Sequence, residues 1–335
     1  MKKGLTVFIG LLLILLVAGY INHTRTQGSD VRYLKLAHGL NTMHPVHKTM
    51  EYLAERLKEI SDGKMIIEIY PSEQLGNEKE CIEGLQLGYM DMTKTSTGPM
   101  EAFVPRIRIF GIPYLFNDND HFWKVANSQI GKDLLVSCEP MGMRGLCYYD
   151  AGFRSFYAKK PINSPADLKG LKVRVMNSVM AMQMVEAMGG SPTPISWGEL
   201  YTSLDQGVVD AAENNPPSFD TSRHFEICKY YTLDEHVCLP DMLVLSKRVW
   251  EDLSEAQQTM LQQAVDDSVE KGHEYWAEAV GKSMSIVREG GVEVIRPDKK
   301  PFQDAVRPMW ERFQNADNEE DKAIGTLIQQ IQEIK

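Results

Sequence analysis

The sequence predicts an α/β protein with mixed, mainly parallel sheets arranged in two domains. Strand-like segments alternate with amphipathic segments of helical period along most of the chain, and this alternation is typical of parallel sheets covered by helices. The length of 335 residues suits two such units. A third observation is a periodic segment near the C-terminal end that is too long to lie on one small domain.

The first half of the chain begins the alternation. Tyr33–Ala37 alternates as a strand does and leads to Pro45, which suits the first turn of a helix. Apolar residues recur at steps of three and four from Val46 to Ile60, so a helix is expected there. Further strands are expected near residues 65–70, 91–95 and 144–149, with helices near 77–87 and 119–138.

The second half shows the same pattern. Ser196 and Glu199 have the spacing of a capping box at a helix start. Residues 213–217 read Glu-Asn-Asn-Pro-Pro, a turn that stops any regular element. Strands are expected near residues 172–176 and 208–212, with a helix over 178–188.

The long periodic segment predicts one long helix. It opens with a capping box of Ser254 and Gln257 and keeps an apolar face as far as Val287. A helix of about 36 residues is roughly 54 Å long. We therefore expect it to lie across both domains.

The N-terminus has the layout of a secretory signal peptide. Lys2 and Lys3 precede an apolar run from Leu5 to Ala18, and polar residues follow. The run is about 14 residues long, shorter than the roughly 20 that a bilayer core requires. We expect residues 1–30 to be a signal peptide and leader, and a permanent membrane anchor stays open as the alternative.

Charge and cysteine content limit the partners. The chain has 36 Lys and Arg against 46 Asp and Glu, a formal net charge of -10, so nucleic acid is not an expected partner because phosphate binding needs a surplus of cations. Among the five cysteines, Cys138 with Cys147 or Cys228 with Cys238 could form a disulfide in an exported protein. Burial as small hydrophobic residues explains them equally well.

The usual motifs of enzymes and metal sites do not occur. The sequence lacks G-x-S-x-G, G-x-x-x-x-G-K-[ST], G-x-G-x-x-G and H-E-x-x-H. His44 and His47 have helical spacing but no acidic or cysteine ligand at a matching distance. We therefore expect no catalytic residue, no cofactor and no metal.

Two arginines and an asparagine, Arg154, Arg174 and Asn214, stand near strand ends, where ligands bind in parallel sheets. Arg174 lies between Val173 and Val175 in a predicted strand, so its side chain leaves the sheet on the opposite face from both valines. A guanidinium there needs an anion, and its planar fork suits a carboxylate. That anion is either a ligand or an Asp or Glu in an internal salt bridge.

Six stretches of the sequence match a known family in order over about 300 residues. They are GKMIIEIYP from Gly63, QLG from Gln74, FGIPYLF from Phe110, LKGLKVR from Leu168, GSPTP from Gly190 and VDAAEN from Val209. On these motifs, the chain from Leu34 to about Lys335 resembles the periplasmic substrate-binding proteins of TRAP transporters, the DctP-type subunits.

The resemblance implies a two-lobe periplasmic-binding-protein fold, in which hinge strands and the long helix join two α/β lobes that close on a ligand. Lobe I would contain residues 31–152 and 241–280, and lobe II residues 153–240 and 281–335. The resemblance further implies a periplasmic protein that hands its ligand to TRAP membrane permease subunits driven by a sodium gradient.

The resemblance also assigns ligand contacts in lobe II. The arginine of the K-x-R-V strand, which pairs with the ligand carboxylate in the family, is Arg174 in this sequence. Arg154 and Asn214 match two further contacts, and Trp197 stands where the family places an aromatic ring on the ligand.

In lobe I, His38, Glu78 and Ser96 align with positions that contact the far end of the ligand. Polar groups there favour ligand hydroxyls, so we expect a sugar acid, in particular a uronate such as glucuronate or galacturonate. A small dicarboxylate, a 2-oxo acid or an aromatic carboxylate stays an alternative ligand. A ligand-sensing lobe for a membrane receptor and, last, a secreted hydrolase using Glu78 stay alternative functions.

Overall fold

The computed structural model describes residues 31–334, which form two mixed sheets with helices on their faces. The expected signal peptide and leader, residues 1–30, lie outside the described residues. The strands are β1 (Arg32–Ala37), β2 (Met65–Tyr70), β3 (Met92–Ser96), β4 (Met143–Tyr149), β5 (Phe153–Ala158), β6 (Lys172–Val175), β7 (Ser191–Pro194), β8 (Ala211–Asn214), β9 (Tyr230–Cys238), β10 (Asp241–Ser246) and β11 (Glu293–Ile295).

Helices of very different lengths cover these sheets. The α-helices are α1 (Pro45–Ile60), α2 (Glu78–Leu87), α3 (Thr97–Met100), α4 (Asn119–Asn127), α5 (Gln129–Val136), α6 (Val179–Ala187), α7 (Trp197–Asp205), α8 (Pro216–Thr221), α9 (Lys247–Asp252), α10 (Glu255–Glu289), α11 (Lys300–Gln314) and α12 (Glu319–Glu333). Short 3-10 helices occupy Pro105–Gly111, Glu139–Met141, Pro165–Leu168 and His224–Glu226.

The strand pairing confirms the predicted fold class. The first sheet has the order β2-β1-β3-β10-β4, and the second has the order β11-β9-β5-β8-β6-β7. Strands β5 and β10 run antiparallel to both of their neighbours, whereas the remaining pairings are parallel. We call the first sheet with its helices the first lobe, and the second sheet with its helices the second lobe.

Two short connections carry the chain between the sheets. Residues 150–152 join β4 to β5, and residues 239–240 join β9 to β10. The strands that follow these connections, β5 and β10, are the two antiparallel ones. The crossing strands therefore form the expected hinge between the lobes.

The helix predictions follow from local chemistry. The ring of His44 accepts a hydrogen bond from the Val46 N–H at 3.2 Å, Pro45 occupies the first turn of α1, and the predicted apolar face is buried. The expected helix over 119–138 is two helices instead, because Ser128 ends α4 and caps α5.

The long helix spans both lobes, as predicted. Helix α10 has 35 residues, and its capping box of Ser254 and Gln257 is complete. Its first half packs on α1 and β4, where Ser268 meets the Tyr149 hydroxyl at 2.6 Å. Its second half packs on α8, where the Ser283 hydroxyl donates to Asp220 at 2.8 Å.

The cysteine pairings considered above are wrong, because all five cysteines are free and buried. Cys228 lies two residues before β9, an extended strand of 9 residues, and Cys238 is the last residue of that strand. At about 3.3 Å per residue this strand holds them far beyond the roughly 7 Å between Cα atoms that a disulfide tolerates. Cys138 and Cys147 pack in different hydrophobic clusters.

The C-terminal helices contact both lobes. Helix α11 packs on α6 of the second lobe. Helix α12 packs on Pro105–Gly111, and the ring of His121 lies 3.1 Å from the Ile331 carbonyl oxygen. The residues that α12 contacts lie within 31–152, the range predicted for lobe I. Helix α12 itself lies within 281–335, which was predicted for lobe II. The exact division of the chain into lobes stays a prediction. Within residues 31–334, no helix is long and apolar enough to cross a membrane.

Candidate ligand-binding site

A cavity lies between the lobes, at the ends of β3, β6 and β8. Residues from both lobes line it. Six of the seven predicted ligand-binding residues are among them: Arg174, Arg154, Asn214, Trp197, Glu78 and Ser96. The structure therefore brings together side chains that are far apart in the sequence.

His38 is the one predicted site residue that does not line the cavity. Its Nε2 lies 3.0 Å from Nδ1 of His47, and its Nδ1 accepts a hydrogen bond from the Leu40 N–H at 3.2 Å. Burial and the charge of Lys94 lower the pKa of His38 to about 2, so the ring is neutral. His38 supports the loop behind the cavity, while Gly39 and Leu40 form the wall.

Arg174 is a buried cation that has no ionic partner among residues 31–334. Its Nε donates to the Ile195 carbonyl at 2.8 Å. No carboxylate of the described chain lies within 4.0 Å of its guanidinium, and its buried Nη1 has no hydrogen-bond partner. Burial lowers its pKa, which reflects the cost of holding this charge away from water. Within residues 31–334, the internal salt bridge left open above is absent.

Arg154, by contrast, is already paired. Its Nε and Nη2 form a bidentate ion pair with the Glu213 carboxylate, and its Nη1 donates to Oδ1 of Asn214 at 2.9 Å. Both Arg154 and Glu213 are buried. Burial alone would lower the pKa of Arg154, but the Glu213 charge outweighs it and the pKa is raised. Arg154 therefore contributes a firmly held guanidinium edge to the cavity wall.

Glu213 was not predicted as a site residue, because residues 213–217 were expected to form a turn. Glu213 and Asn214 are instead the last residues of β8, and Asn215 caps helix α8, which begins at Pro216. Behind Glu213 lies His236, whose Nδ1 is 2.8 Å from Asp234. Burial opposes the charge of His236, but Asp234 and Glu213 raise its pKa to about 9. Burial is likewise outweighed at Glu213, where Arg154 and His236 lower the pKa to about 2.

These buried charges make the free energy of unfolding depend on pH at both extremes. The raised pKa of His236 gives a contribution that is complete below about pH 6.5 and lost as the pH rises through about 9. The depressed pKa of Glu213 gives one that is present above about pH 4.5 and lost as the pH falls towards about 2. In urea unfolding, we expect the free energy of unfolding to fall by on the order of 3 kcal/mol as the pH rises through about 9, and we expect this fall to be absent in His236→Gln. An equally steep alkaline loss in that variant would contradict the assignment.

The first-lobe side of the cavity offers hydrogen-bond acceptors and a hydroxyl. Glu78 opens α2, and its Oε1 accepts a hydrogen bond from the Ser96 N–H at 2.7 Å. Asn77 and Glu80 form a complete capping box that fixes this helix start. The Ser96 hydroxyl is buried and has no hydrogen-bond partner within residues 31–334. Both side chains are therefore available to groups of a ligand.

The cavity is also lined by Lys94, Asp241 and Ser218, which were not predicted from the sequence, and by His44, which was considered only as a metal ligand. Lys94 and Asp241 form a buried ion pair at 3.0 Å, and Nε2 of His44 lies 3.1 Å from the Ser218 hydroxyl. Lys94 shows the same pattern as Arg174, a cation between uncharged residues in the interior of a strand, and this pattern could have predicted it.

Two of the four ionic groups or pairs of the cavity wall are neutral and two are not. The Lys94–Asp241 and Arg154–Glu213 pairs are internally neutral. In the described chain, neither Arg174 of the second lobe nor Glu78 of the first has an ionic partner within 4.0 Å. Such a cavity suits an anion whose far end carries hydrogen-bond donors.

No group of three or more His, Cys, Asp and Glu side chains with the arrangement of a metal site occurs in residues 31–334. The imidazoles of His44 and His224 are neutral, since burial lowers the pKa of His44 well below its ordinary value and that of His224 to about 3. The ionic groups of the wall therefore act as charges and hydrogen-bonding groups.

Comparison with known proteins identifies the family. Residues 36–317 match the model of the bacterial extracellular solute-binding proteins, family 7. The chain is 38% identical over 285 residues to the uncharacterized protein YiiZ of Salmonella typhimurium, with 84% of this chain and 87% of that protein covered.

Solved structures show the same fold. A TRAP periplasmic solute-binding protein of Bradyrhizobium sp., in complex with α/β-D-galacturonate, is 38% identical with a TM-score of 0.85 and covers 89% of this chain and 100% of its own. One from Anaerococcus prevotii, with bound α/β-D-glucuronate, is 34% identical with a TM-score of 0.86 and covers 90% and 98%. Members of this family bind substrates for transport and are not enzymes. The chain belongs to the family 7 extracellular solute-binding proteins, the periplasmic binding subunits of TRAP transporters.

Proposed function

We propose that this protein captures a uronate, D-galacturonate or D-glucuronate, and delivers it to a sodium-driven TRAP permease in the membrane. The observation that carries the proposal is Arg174, which lines the cavity between the lobes and whose buried Nη1 has no hydrogen-bond partner in residues 31–334. A ligand carboxylate supplies the missing charge and the missing acceptor together.

The remaining contacts follow from the free groups of the wall. Asn214 uses its Oδ1 to accept from Arg154, so its amide nitrogen is left for the ligand. The Trp197 ring lies 5.5 Å from the Arg174 guanidinium, close enough to cover a sugar held there. At the far end, Glu78 accepts hydrogen bonds from sugar hydroxyls, and Ser96 donates or accepts one.

The charge balance favours a uronate over a dicarboxylate. A second carboxylate would lie near Glu78, and the cation on that side, Lys94, is already neutralised by Asp241. Sugar hydroxyls satisfy Glu78 without adding charge. The family members of known structure that bind galacturonate and glucuronate support the same ligand class.

The placement in the cell follows from the family and the N-terminus. We propose that the apolar run in residues 1–30 directs export to the periplasm. A loaded, closed protein then meets the permease subunits, which take over the ligand.

Isothermal titration of the mature protein tests the ligand class. We expect D-galacturonate or D-glucuronate to bind with a Kd of about 1 μM or tighter, near -8 kcal/mol. Malate, pyruvate and benzoate serve as the dicarboxylate, 2-oxo acid and aromatic arms. Tighter binding of any of these than of both uronates would contradict the proposal, and conversion of a bound uronate would indicate an enzyme instead.

A further inference from the structure

The lobes meet outside the ligand cavity through two carboxylates of the first lobe. Each reaches the N-terminus of a helix of the second lobe. Glu101 follows α3, directly after strand β3, and meets α6; Glu73 lies in the turn between β2 and α2 and meets α7.

Glu101 contacts α6 through a hydrogen bond between the lobes. Its Oε1 accepts from the Met180 N–H at 3.1 Å, and the Val179 N–H and Ser178 hydroxyl also favour its charged form. Glu101 is buried by this contact. The first N–H groups of a helix have no partner within the helix, so a carboxylate there acts as a cap.

Glu73 contacts α7 in a similar way. The expected capping box of this helix is incomplete, because the Ser196 hydroxyl donates to Glu199 and makes no capping bond to the backbone. Burial raises the pKa of Glu73, and the Gly198 N–H is the strongest group acting against that rise. A Cβ added at Gly198 would lie 2.5 Å from Oε2 of Glu73, which shows how closely the carboxylate covers this helix start.

The first-lobe turn is shaped to present Glu73. Both Ser72 and Glu73 have positive φ, at 55° and 58°. Non-glycine residues adopt this conformation only at a cost. The turn directs the Glu73 side chain over Gly39, where a Cβ would come within 3.4 Å of it, and onward to the second lobe.

Helix α7 links this contact to the ligand. Its first residue is Trp197, which lines the ligand cavity. Helix α6 starts close behind Met176, another residue of the cavity wall. Contacts that fix these two helix starts therefore also fix two walls of the cavity.

We propose that Glu73 and Glu101 are positioning residues for ligand capture, which cap α7 and α6 across the cleft and hold the lobes closed around the bound molecule. The proposal rests on the proposed function for the identity of that molecule. Neither carboxylate needs to touch the ligand. Both caps exist only while the lobes are in contact, so they slow the release of the ligand.

The closed contact has a pH signature at Glu101. Burial raises the pKa of Glu101 to about 7, and the groups that face it are Arg108, Ser178 and the N–H groups of Val179 and Met180. Because burial in the closed contact raises this pKa above its ordinary value of 4.5, the contribution to closure is complete below about pH 4.5 and is lost as the pH rises through about 7. Glutamine keeps the acceptor for Met180 without a charge.

Dissociation rates of D-galacturonate and D-glucuronate test the two caps. Glu73→Ala and Glu101→Ala should each speed release about tenfold and leave association nearly unchanged. Glu101→Gln should retain slow release and lose the change of rate between pH 6 and 8. The matched control is Glu83→Ala, whose carboxylate has only Lys79 as an ionic contact in the described chain. Rates equal to wild type in both alanine variants would overturn the proposal.

A double-mutant cycle separates a contact across the cleft from a local effect. Gly198→Ala places a methyl group against the Glu73 carboxylate and should speed release in the wild type. In the Glu73→Ala background the same change should have almost no effect, because the opposing group is gone. Additive effects would show that the two residues do not meet, and would overturn the Glu73 contact.

Distances between spin labels test the proposed role of Glu73 and Glu101 in closure, with or without a bound uronate. Labels at Leu87→Cys and Val208→Cys report the separation of the lobes, since both positions are exposed and the native cysteines are buried. We expect a smaller closed fraction in Glu73→Ala and Glu101→Ala than in wild type, with or without uronate. If uronates do not bind but the variants open the lobes, only the proposed function fails. If uronates bind and the closed fraction is unchanged, only the caps fail.

Discussion

Replacing Arg174 with methionine is expected to weaken uronate binding by more than about 100-fold while leaving the ligand-free protein as stable as before or more stable. The carboxylate would lose its charged partner inside a buried cavity, where such a pair is worth several kcal/mol. The ligand-free protein would lose one hydrogen bond, from Nε to the Ile195 carbonyl, together with a buried charge whose Nη1 has no hydrogen-bond partner in the described chain and whose pKa is lowered by burial.

Titration calorimetry and thermal unfolding of the same variant measure both effects. Arg174→Lys is the matched control for charge, and it should recover only part of the affinity, because an ammonium group cannot bind a carboxylate in the bidentate geometry of arginine. A methionine variant that binds uronates normally would remove Arg174 from the site. A large fall in its ligand-free stability would show that Arg174 has a structural partner instead.

Replacing Arg154 with methionine is expected to have the opposite effect on stability. Glu213 would be left buried without its bidentate partner, and breaking a buried pair in this way costs roughly 3 to 5 kcal/mol. Urea unfolding of the ligand-free variant measures this loss. Uronate binding should also weaken, because Asn214 loses the bond from Arg154 that orients it.

The double variant Arg154→Met with Glu213→Leu isolates the cause. Removing both charges should restore most of the lost stability, since no uncompensated carboxylate remains. Equal instability of the single and the double variant would indicate that packing, and not the unpaired charge, sets the cost.

The sequence predicted the structure correctly where a residue pattern had only one physical explanation. The alternation of strands and helices predicted the fold class, and the capping box at Ser254 predicted the start of the long helix. Arg174 was found because a cation inside an apolar strand must face an anion. The resemblance then supplied the ligand contacts, six of which line one cavity.

The sequence failed where the outcome depended on partners distant along the chain. His38 turns away from the cavity because His47 and the Leu40 N–H hold its ring. Local spacing alone could not show that β9 separates Cys228 from Cys238. The Ser196–Glu199 spacing predicted a capping box, but the Ser196 hydroxyl donates to Glu199 and makes no capping bond to the backbone.

A crystal structure of the protein with D-galacturonate or D-glucuronate tests the central claim most directly. The measured quantity is the distance from the ligand carboxylate to the Nη atoms of Arg174. We predict hydrogen-bond distances of about 2.7 to 2.9 Å, with sugar hydroxyls directed to Glu78 and Ser96. A carboxylate bound elsewhere, with Arg174 paired to a carboxylate of the chain, would contradict the account.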